Sequence, residues 1–322
     1  MNNENCKKLS VSVIIPNYNS ENYLYECLDS IILENEYLPQ EIIIVDDAST
    51  DGSFEIARKY QQKYPETVKV RKLEKNCGAA LARLEGVKIS ACDLILFIDA
   101  DDKISDNAIY LACQKIDKED IVLFDMYKLN NGDTYKAVNI DNILFPIRGT
   151  EACKLTFGGW KIHSTGLIKK DIILKAYHKV NNFSFYNVDE VVTRYVIYEA
   201  KQITFCKQSK YFYRTNLNSS GHKNINNIVP ELEISIKLDD LIDEFGYIDT
   251  EKGIKKWVQA SVIGKYFYSL KIGQKLNDSL QKKVIDKIRT YKIIFFIRNL
   301  SRGNFKNDFL TIVKLFLLRR KV

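Results

Sequence analysis

The chain has 322 residues, of which 46% are hydrophobic and 28% are charged, with 14 Gly, 5 Pro and a net charge of +7. This composition fits one large globular domain or two medium ones, and it excludes a disordered, collagen-like or low-complexity chain. The seven cysteines form no C-x-x-C pair and are odd in number, which argues against a zinc ribbon or a complete disulfide framework and predicts reduced, mostly buried thiols.

The beginning of the chain carries no targeting pattern. Residues 1–9 are polar, so no signal peptide is expected, and the apolar runs elsewhere are shorter than the ~20 residues that a membrane-spanning helix needs. These features predict a cytoplasmic protein.

The N-terminal third alternates between strand-like and helix-like patterns. Apolar, often β-branched runs predict strands at residues 11–15, 41–45, 68–73 and 94–98, and helical spacing of apolar residues predicts helices at 23–32, 54–64 and 79–89. Pro16 is expected to end the first strand. Strands that alternate with helices of ~10 residues predict a mostly parallel sheet covered on both faces, and therefore an α/β fold.

Three polar turns follow predicted strands, at residues 16–19, 46–51 and 99–102. Ligands of open α/β sheets bind beyond the carboxyl ends of the strands, so these turns are expected to line one crevice. Asp99 and Asp101 supply two carboxylates at alternate positions, the kind of hard ligand that Mg²⁺ or Mn²⁺ prefers when it also binds a diphosphate. Alternatively, these acids end the strand and cap the next helix.

The motifs around these turns occur in a characteristic order. V-S-V-I-I-P-N-Y-N (11–19), I-I-I-V-D-D-A-S-T-D-G-S (42–53), N-C-G-A-A-L-A-R (76–83) and L-F-I-D-A-D-D (96–102) together resemble the nucleotide-sugar-binding half of family 2 glycosyltransferases. With later matches the resemblance covers roughly residues 10–222. It implies a GT-A fold: a domain at 1–225, with a nucleotide-sugar half at 10–125 and an acceptor half at 126–225. From about residue 228 onward, apolar residues recur at helical spacing, which predicts a helical C-terminal region at 226–322.

The resemblance also implies roles for single residues in binding a UDP-sugar. Pro16 and Tyr18 would frame the base, Asp47 would accept from the uracil imide, and Asn76 and Arg83 would lie near the nucleotide and phosphates. Asp99 would face the ribose and metal, and Asp101 would ligate Mn²⁺ or Mg²⁺ directly. The alternatives are a turn-capping role for Asp47 and a solvated helix face for Arg83.

A transferase also needs a base for the acceptor hydroxyl. Asp189 aligns with the catalytic aspartate of the family, and Glu190 is the second candidate. The family's preceding Glu is replaced by Val188, so the acceptor contact that this Glu makes is not expected. Helix capping is an alternative role for Asp189.

Matches further along the chain complete the implied site. Arg214 and Ser220 would contact the donor phosphates, and His222 is either a further metal ligand or structural. Trp160 follows two glycines where the family builds its acceptor pocket, and it is either a stacking platform for a sugar ring or a core residue.

Together with these residues, the resemblance to family 2 glycosyltransferases implies an inverting, metal-dependent transferase that moves a sugar from a UDP-sugar to a glycan or lipid-linked acceptor in bacterial surface polysaccharide synthesis. The alternatives are another nucleotide-using transferase that lacks a G-x-x-x-x-G-K loop, and a non-catalytic protein that keeps the fold for interaction or scaffolding. The identity of the sugar and the oligomeric state are left open.

The positive charge is concentrated at the C-terminal end. Residues 279–322 contain twelve Lys or Arg and two Asp, a charge of +10, which leaves −3 for the preceding 278 residues. Basic residues interleaved with apolar runs suit a helix that lies on an anionic membrane surface, and they equally suit a packed helix with a basic solvated face. A peripheral position at the inner face of the membrane follows from the first alternative. No recognisable reading motif points to nucleic acid.

Overall fold

A computed structural model describes residues 10–33, 38–130, 132–157, 159–180, 188–215, 228–247 and 253–291. These residues belong to two compact units. The first contains the described residues from 10 to 180 and from 192 to 215, and the second contains residues 188–191 and those from 228 to 291. The predicted domain boundary after residue 225 lies outside the described residues and stays a prediction.

The first half of the sheet is parallel. It contains β1 (Val11–Asn17), β2 (Glu41–Asp46), β3 (Val68–Lys72) and β4 (Leu94–Phe97), in the order β3-β2-β1-β4, connected by α1 (Leu24–Ile32), α2 (Ser53–Lys63) and α3 (Ala79–Ile89). Every residue of β1 and β2 is buried, as expected for central parallel strands that helices cover on both faces.

The first strand runs two residues further than the sequence predicts. Pro16 is paired with Val45, and Asn17 with Asp46. Pairing of β1 with β4 ends earlier, at Ile14 and Phe97, so the missing N–H of Pro16 removes no bond from that side. The expectation that Pro16 ends the strand is therefore wrong.

The second half of the sheet is mixed. It adds β5 (Lys103–Ile104), β6 (Ile121–Asn130), β7 (Asp133–Lys136), β8 (Gly166–Lys169) and β9 (Ile203–Arg214), in the order β4-β8-β6-β9-β5, with β7 beside β6. β8 is antiparallel to both its neighbours, and β5 is antiparallel to β9. The helices of this half are α4 (Ala108–Cys113), α5 (Gly149–Lys154), α6 (Lys170–Lys179) and α7 (Val188–Glu199). The α/β fold is confirmed.

The second unit is helical. Helices α8 (Ile228–Glu244), α9 (Ile254–Lys271) and α10 (Asp278–Thr290) share an apolar core that includes Leu232, Val262 and Val284. The Asn277 side chain caps α10 by accepting from the Leu280 N–H. No helix in the described part of the chain is long and apolar enough to cross a membrane.

The cysteines of the described residues match their predicted state. Six of them are free thiols, and all but Cys77 are buried.

Candidate active site

Polar side chains hold the loops after β1 and β2 together. Buried Asn17, at the end of β1, donates from Nδ2 to Asp46 Oδ1 at 2.8 Å and to Ser53 Oγ at 3.2 Å. Two residues after Asn17, Asn19 Oδ1 accepts from the Thr50 N–H at 2.8 Å. Because both loops leave the carboxyl ends of neighbouring parallel strands, these bonds form one wall of the predicted crevice.

Two residues assigned to the donor base lie on this wall. Pro16 is buried within β1, whereas Tyr18 has 49% of its surface exposed. An exposed aromatic ring beside a rigid loop can stack on a planar ligand. Tyr18 therefore suits the predicted role better than Pro16, which lies inside the sheet.

Asp47 is bound to the turn that starts α3. Its Oδ1 accepts from the Cys77 N–H at 2.7 Å, and its Oδ2 accepts from the Gly78 N–H at 2.8 Å. The side chain is buried, and the neighbouring Asn76 is exposed. The turn-capping alternative describes these bonds, and the uracil contact of Asp47 stays a prediction.

Arg83 reaches from α3 to the acidic turn, residues 99–102, that follows β4. Its Nη2 lies 2.5 Å from Asp99 Oδ1, with 17% of the Arg83 side chain and 39% of the Asp99 side chain exposed. Arg83 is therefore not on a solvated helix face. It holds a positive charge beside the acidic turn through a charge-assisted hydrogen bond.

Asp102, the last residue of the acidic turn, is buried and faces β9. Its Oδ2 accepts from the Tyr211 hydroxyl at 2.6 Å, and its Oδ1 accepts from the Arg214 N–H at 2.7 Å. Burial, together with repulsion from Asp99 and Asp101, raises the pKa of Asp102 to about 8. Burial and the two neighbouring carboxylates therefore disfavour the ionised form of Asp102.

Arg214 is tied to the acidic turn and to α1. Its Nε donates to the Asp101 carbonyl at 2.8 Å, its Nη2 lies 2.5 Å from Glu26 Oε2, and the guanidinium lies 5.1 Å from the centre of the Tyr23 ring. Burial opposes ionisation of Glu26, but Lys103 and Arg214 outweigh it and lower the pKa of Glu26. The phosphate contact assigned to Arg214 stays a prediction.

Trp160 is supported by a buried cation in another part of the first unit. The Arg194 guanidinium lies 4.3 Å from the centre of the Trp160 ring and 5.0 Å from that of Phe157. Arg194 is buried and donates to the Thr156 carbonyl at 3.0 Å. Since 39% of Trp160 is exposed, it is not a core residue, and a ring held in this way can present a face to a ligand.

The remaining predicted residues lie outside the described part of the first unit. Asp189 and Glu190 lie in the first turn of α7, within the second unit. Ser220 and His222 lie outside the described residues. Their roles stay predictions.

The acidic turn could bind a divalent cation only if water and substrate oxygens supplied the rest of the coordination shell. The described residues contain no group of three or more His, Cys, Asp or Glu side chains that could hold a metal ion by themselves. Mg²⁺ and similar ions commonly take one or two carboxylates and complete their shell with water and phosphate oxygens. Asp99 and Asp101 match that donor set.

Three residues at this site were missed in the sequence. Asp102 ends the L-F-I-D-A-D-D motif, and Tyr211 lies three residues before Arg214, but the sequence predicts no role for either. Glu26 is 188 positions from its partner Arg214, and no local pattern marks it.

Comparison with known proteins places this site in a family. The model of glycosyl transferase family 2 matches residues 12–189. The poly(ribitol-phosphate) beta-glucosyltransferase of Bacillus spizizenii is 28% identical over 269 residues, which are 80% of this chain and 40% of that protein. Glycosyltransferase GlyG of Streptococcus pneumoniae is 29% identical over 225 residues, 65% of this chain and 72% of that protein.

The fold has a solved counterpart. The crystal structure of S. aureus TarS 1-349 in complex with UDP-GlcNAc has a TM-score of 0.65 and 19% identity, and covers 97% of this chain and 92% of that one. The chain belongs to glycosyl transferase family 2 and has the GT-A fold, so both predictions are confirmed. It spans only two fifths of the length of the Bacillus relative.

Proposed function

We propose that the chain is an inverting glycosyltransferase that moves a sugar from a UDP-sugar to a hydroxyl of a glycan or lipid-linked acceptor in bacterial surface polysaccharide synthesis. The proposal rests on the arrangement at one edge of the sheet. There Asn17 is hydrogen-bonded to Asp46 and Ser53. After the adjacent strand β4, Arg83 is paired with Asp99. The UDP-GlcNAc bound in the TarS crystal structure and the activity named for the Bacillus relative support the choice of donor and pathway.

In this proposal the residues of the first unit hold the donor. Tyr18 stacks on the base, Asp47 and Asn76 contact the nucleotide, and Arg83 fixes the orientation of Asp99 while adding positive charge near the diphosphate. Asp99 and Asp101 would hold Mn²⁺ or Mg²⁺, which neutralises charge on a diphosphate leaving group when bound. The metal dependence of the reaction is part of the proposal.

The transfer itself is proposed as a single displacement. Asp189 takes the proton of the acceptor hydroxyl, whose oxygen forms a bond to the anomeric carbon while the bond from that carbon to the UDP oxygen breaks. Attack from the face opposite the leaving group inverts the anomeric configuration. Glu190 is the alternative base, and Trp160 would stack on the acceptor sugar.

The donor assignment is tested by ligand stabilisation. UDP is expected to raise the melting temperature of the protein in the presence of Mn²⁺ and much less in its absence, because a ligand that binds only the folded state stabilises it. Asp101→Asn should abolish the Mn²⁺-dependent part. Asp106→Asn removes the same charge from an exposed position five residues on and should keep it.

Other outcomes separate the alternatives. Stabilisation by a different nucleotide only would point to another nucleotide-using transferase, and stabilisation by none would favour a non-catalytic scaffold. A panel of UDP-sugars then ranks the donors, and release of UDP in the presence of candidate acceptors measures transfer.

The base is tested by two isosteric variants. Asp189→Asn should abolish transfer while leaving the affinity for UDP unchanged, because it removes only the proton acceptor. Glu190→Gln should retain most of the transfer activity. The reverse pattern would assign the base to Glu190, and equal loss of transfer and UDP affinity in both variants would assign both residues a structural role.

A further inference from the structure

The Tyr211 hydroxyl spans the acidic turn from its first residue to its last. Tyr211 lies on β9 with 4% of its surface exposed, and it is paired with Ile104 of β5, two residues after the turn. Its hydroxyl donates to Asp102 Oδ2 at 2.6 Å and accepts from the Asp99 N–H at 3.2 Å. One oxygen atom therefore fixes both ends of residues 99–102.

Asp102 connects the end of the acidic turn to β9. It is 1% exposed, and its two oxygens accept from Tyr211 and from the Arg214 N–H. Asp99, by contrast, has 39% of its side chain exposed. The Asp102 side chain therefore faces β9, whereas the Asp99 side chain is partly open to solvent.

We propose that Tyr211 is a positioning residue for the donor site: its hydroxyl holds the acidic turn in the conformation in which Asp99 and Asp101 bind a divalent cation together with a nucleoside diphosphate. This inference rests on the proposed function. It follows from general metal-site chemistry, in which groups that hydrogen-bond around the ligands set the orientation of those ligands. Removing the hydroxyl leaves a buried carboxylate oxygen and the Asp99 N–H without this partner, so the turn loosens while the ring still fills its place.

The test uses Tyr211→Phe in the full chain, with Tyr60→Phe as the matched control. Tyr60 is also buried and also donates its hydroxyl to a carboxylate, Asp29 Oδ1 at 2.5 Å, between α2 and α1. Both variants lose one phenol–carboxylate hydrogen bond. Only Tyr211→Phe loses a bond to the acidic turn.

The first readout is the apparent affinity for Mn²⁺ at saturating UDP, measured by electron paramagnetic resonance of the free ion. We expect Tyr211→Phe to weaken Mn²⁺ binding by about 10-fold to 100-fold, and Tyr60→Phe to leave it unchanged at a similar loss of melting temperature. Wild-type affinity in Tyr211→Phe overturns the proposal, because a merely structural hydroxyl would change stability alone.

The second readout needs no ligand. Amide hydrogen exchange in a peptide spanning residues 97–104 should be about 10-fold faster in Tyr211→Phe than in the unaltered protein, and unchanged in Tyr60→Phe. Unchanged exchange in Tyr211→Phe overturns the proposal on its own. If the unaltered protein binds neither UDP nor Mn²⁺, the proposed function fails, while the exchange result still decides whether Tyr211 fixes the turn.

A second variant tests the same proposal if Tyr211→Phe does not fold. Asp102→Asn keeps the size of the side chain but can no longer offer two acceptor oxygens to Tyr211 and Arg214. It should weaken Mn²⁺ binding and speed exchange in the same peptide. Wild-type values for both measurements in a folded Asp102→Asn would contradict the proposed link.

Discussion

Buried carboxylates at the two ends of β2 connect different elements. Asp47, just past the carboxyl end, binds the N–H groups that begin α3 and so fixes one side of the candidate site. Glu41, at the opposite end, is 2% exposed and accepts hydrogen bonds from Ser12 Oγ, Lys69 Nζ, the Ala91 N–H and Cys92 Sγ. Glu41 therefore joins β1, β3 and the segment before β4 at the edge far from the site.

Glu41 should make stability depend on pH in the acid range. Burial acts to raise the pKa of Glu41, but its hydrogen bonds from Lys69, Ser12 and Ala91 outweigh burial and lower this pKa from 4.5. The folded state then binds fewer protons than the unfolded state near that pH, so the stabilisation is complete above about 4.5 and is lost as the pH falls through the folded pKa.

Glu41→Gln is expected to lower the free energy of unfolding at pH 7 by about 1–3 kcal/mol, and the difference from wild type should shrink toward pH 3. Urea denaturation at several pH values measures it. Glu55→Gln, at an exposed position of α2, is the control and should change little. A difference between Glu41→Gln and wild type that stays constant down to pH 3 would count against this role.

The site residues that could be predicted are those that lie within continuous motifs. Asp47 and Asp99 stand in loops that directly follow strands, and Arg83 lies near the start of α3, so the sequence order itself brings them to one edge. Tyr211 and Glu26 could not be predicted, because their partners are more than 100 positions away and depend on the pairing of β5 with β9.

At the scale of elements, the close contact between α3 and β1 places the donor loops. A Cβ atom at Gly86 of α3 would overlap the Cγ2 of Ile14, which is completely buried in β1. Glycine allows the helix to approach the sheet here, and the same helix carries Arg83 and begins at the turn bound by Asp47. The position of Arg83 therefore depends on this packing.

Gly86→Ala is expected to lower the free energy of unfolding of the first unit by about 1–3 kcal/mol, because the added methyl group overpacks the core. The two tryptophans of the chain, Trp160 and Trp257, lie in different units. In a Trp257→Phe background, fluorescence during urea denaturation reports the first unit alone.

Gly264→Ala provides the opposite case in α9. A Cβ atom there would meet nothing within 4 Å, so the higher helix propensity of alanine should stabilise the second unit by about 0.5–1 kcal/mol. It is measured with Trp160→Phe as the background. Equal effects of the two glycine substitutions would show that contact with Ile14 does not matter.

The two halves of the sheet differ in how clearly the sequence marks them. Strands β1, β2 and β4 are apolar runs followed by polar turns, and they were predicted at nearly their observed positions. In the second half, β5 has two residues and β8 has four, and β9 pairs with β6 through an irregularity after Phe124. Short strands and a bulge interrupt the alternation on which strand prediction depends.

At the scale of the whole molecule, charge is distributed unevenly along the chain. Residues 279–322 carry +10, and the preceding 278 residues carry −3. Most of this basic segment, from residue 292 onward, lies outside the described residues, so its role is a prediction from sequence. A basic segment with apolar runs such as 293–297 and 309–318 would bring a transferase to an anionic membrane that holds a lipid-linked acceptor.

This role predicts salt-dependent binding to anionic vesicles. The protein should sediment with phosphatidylglycerol vesicles at about 0.1 M salt and much less at about 1 M, where the Debye length falls from about 10 Å to about 3 Å. Phosphatidylcholine vesicles, which carry no net charge, should bind the protein weakly at both salt concentrations. Replacing Arg319, Arg320 and Lys321 with serine should weaken binding, since each basic residue near an anionic surface contributes about 1 kcal/mol.

The matched control replaces Lys59, Lys115 and Lys118, which are exposed on the first unit, with serine. It removes the same charge from the molecule, so a general effect of net charge would weaken binding equally in both triple variants. Loss of binding only in the C-terminal variant would locate the attraction in the tail. Unchanged sedimentation after deletion of residues 306–322 would instead leave these residues as a packed helix with a basic solvated face.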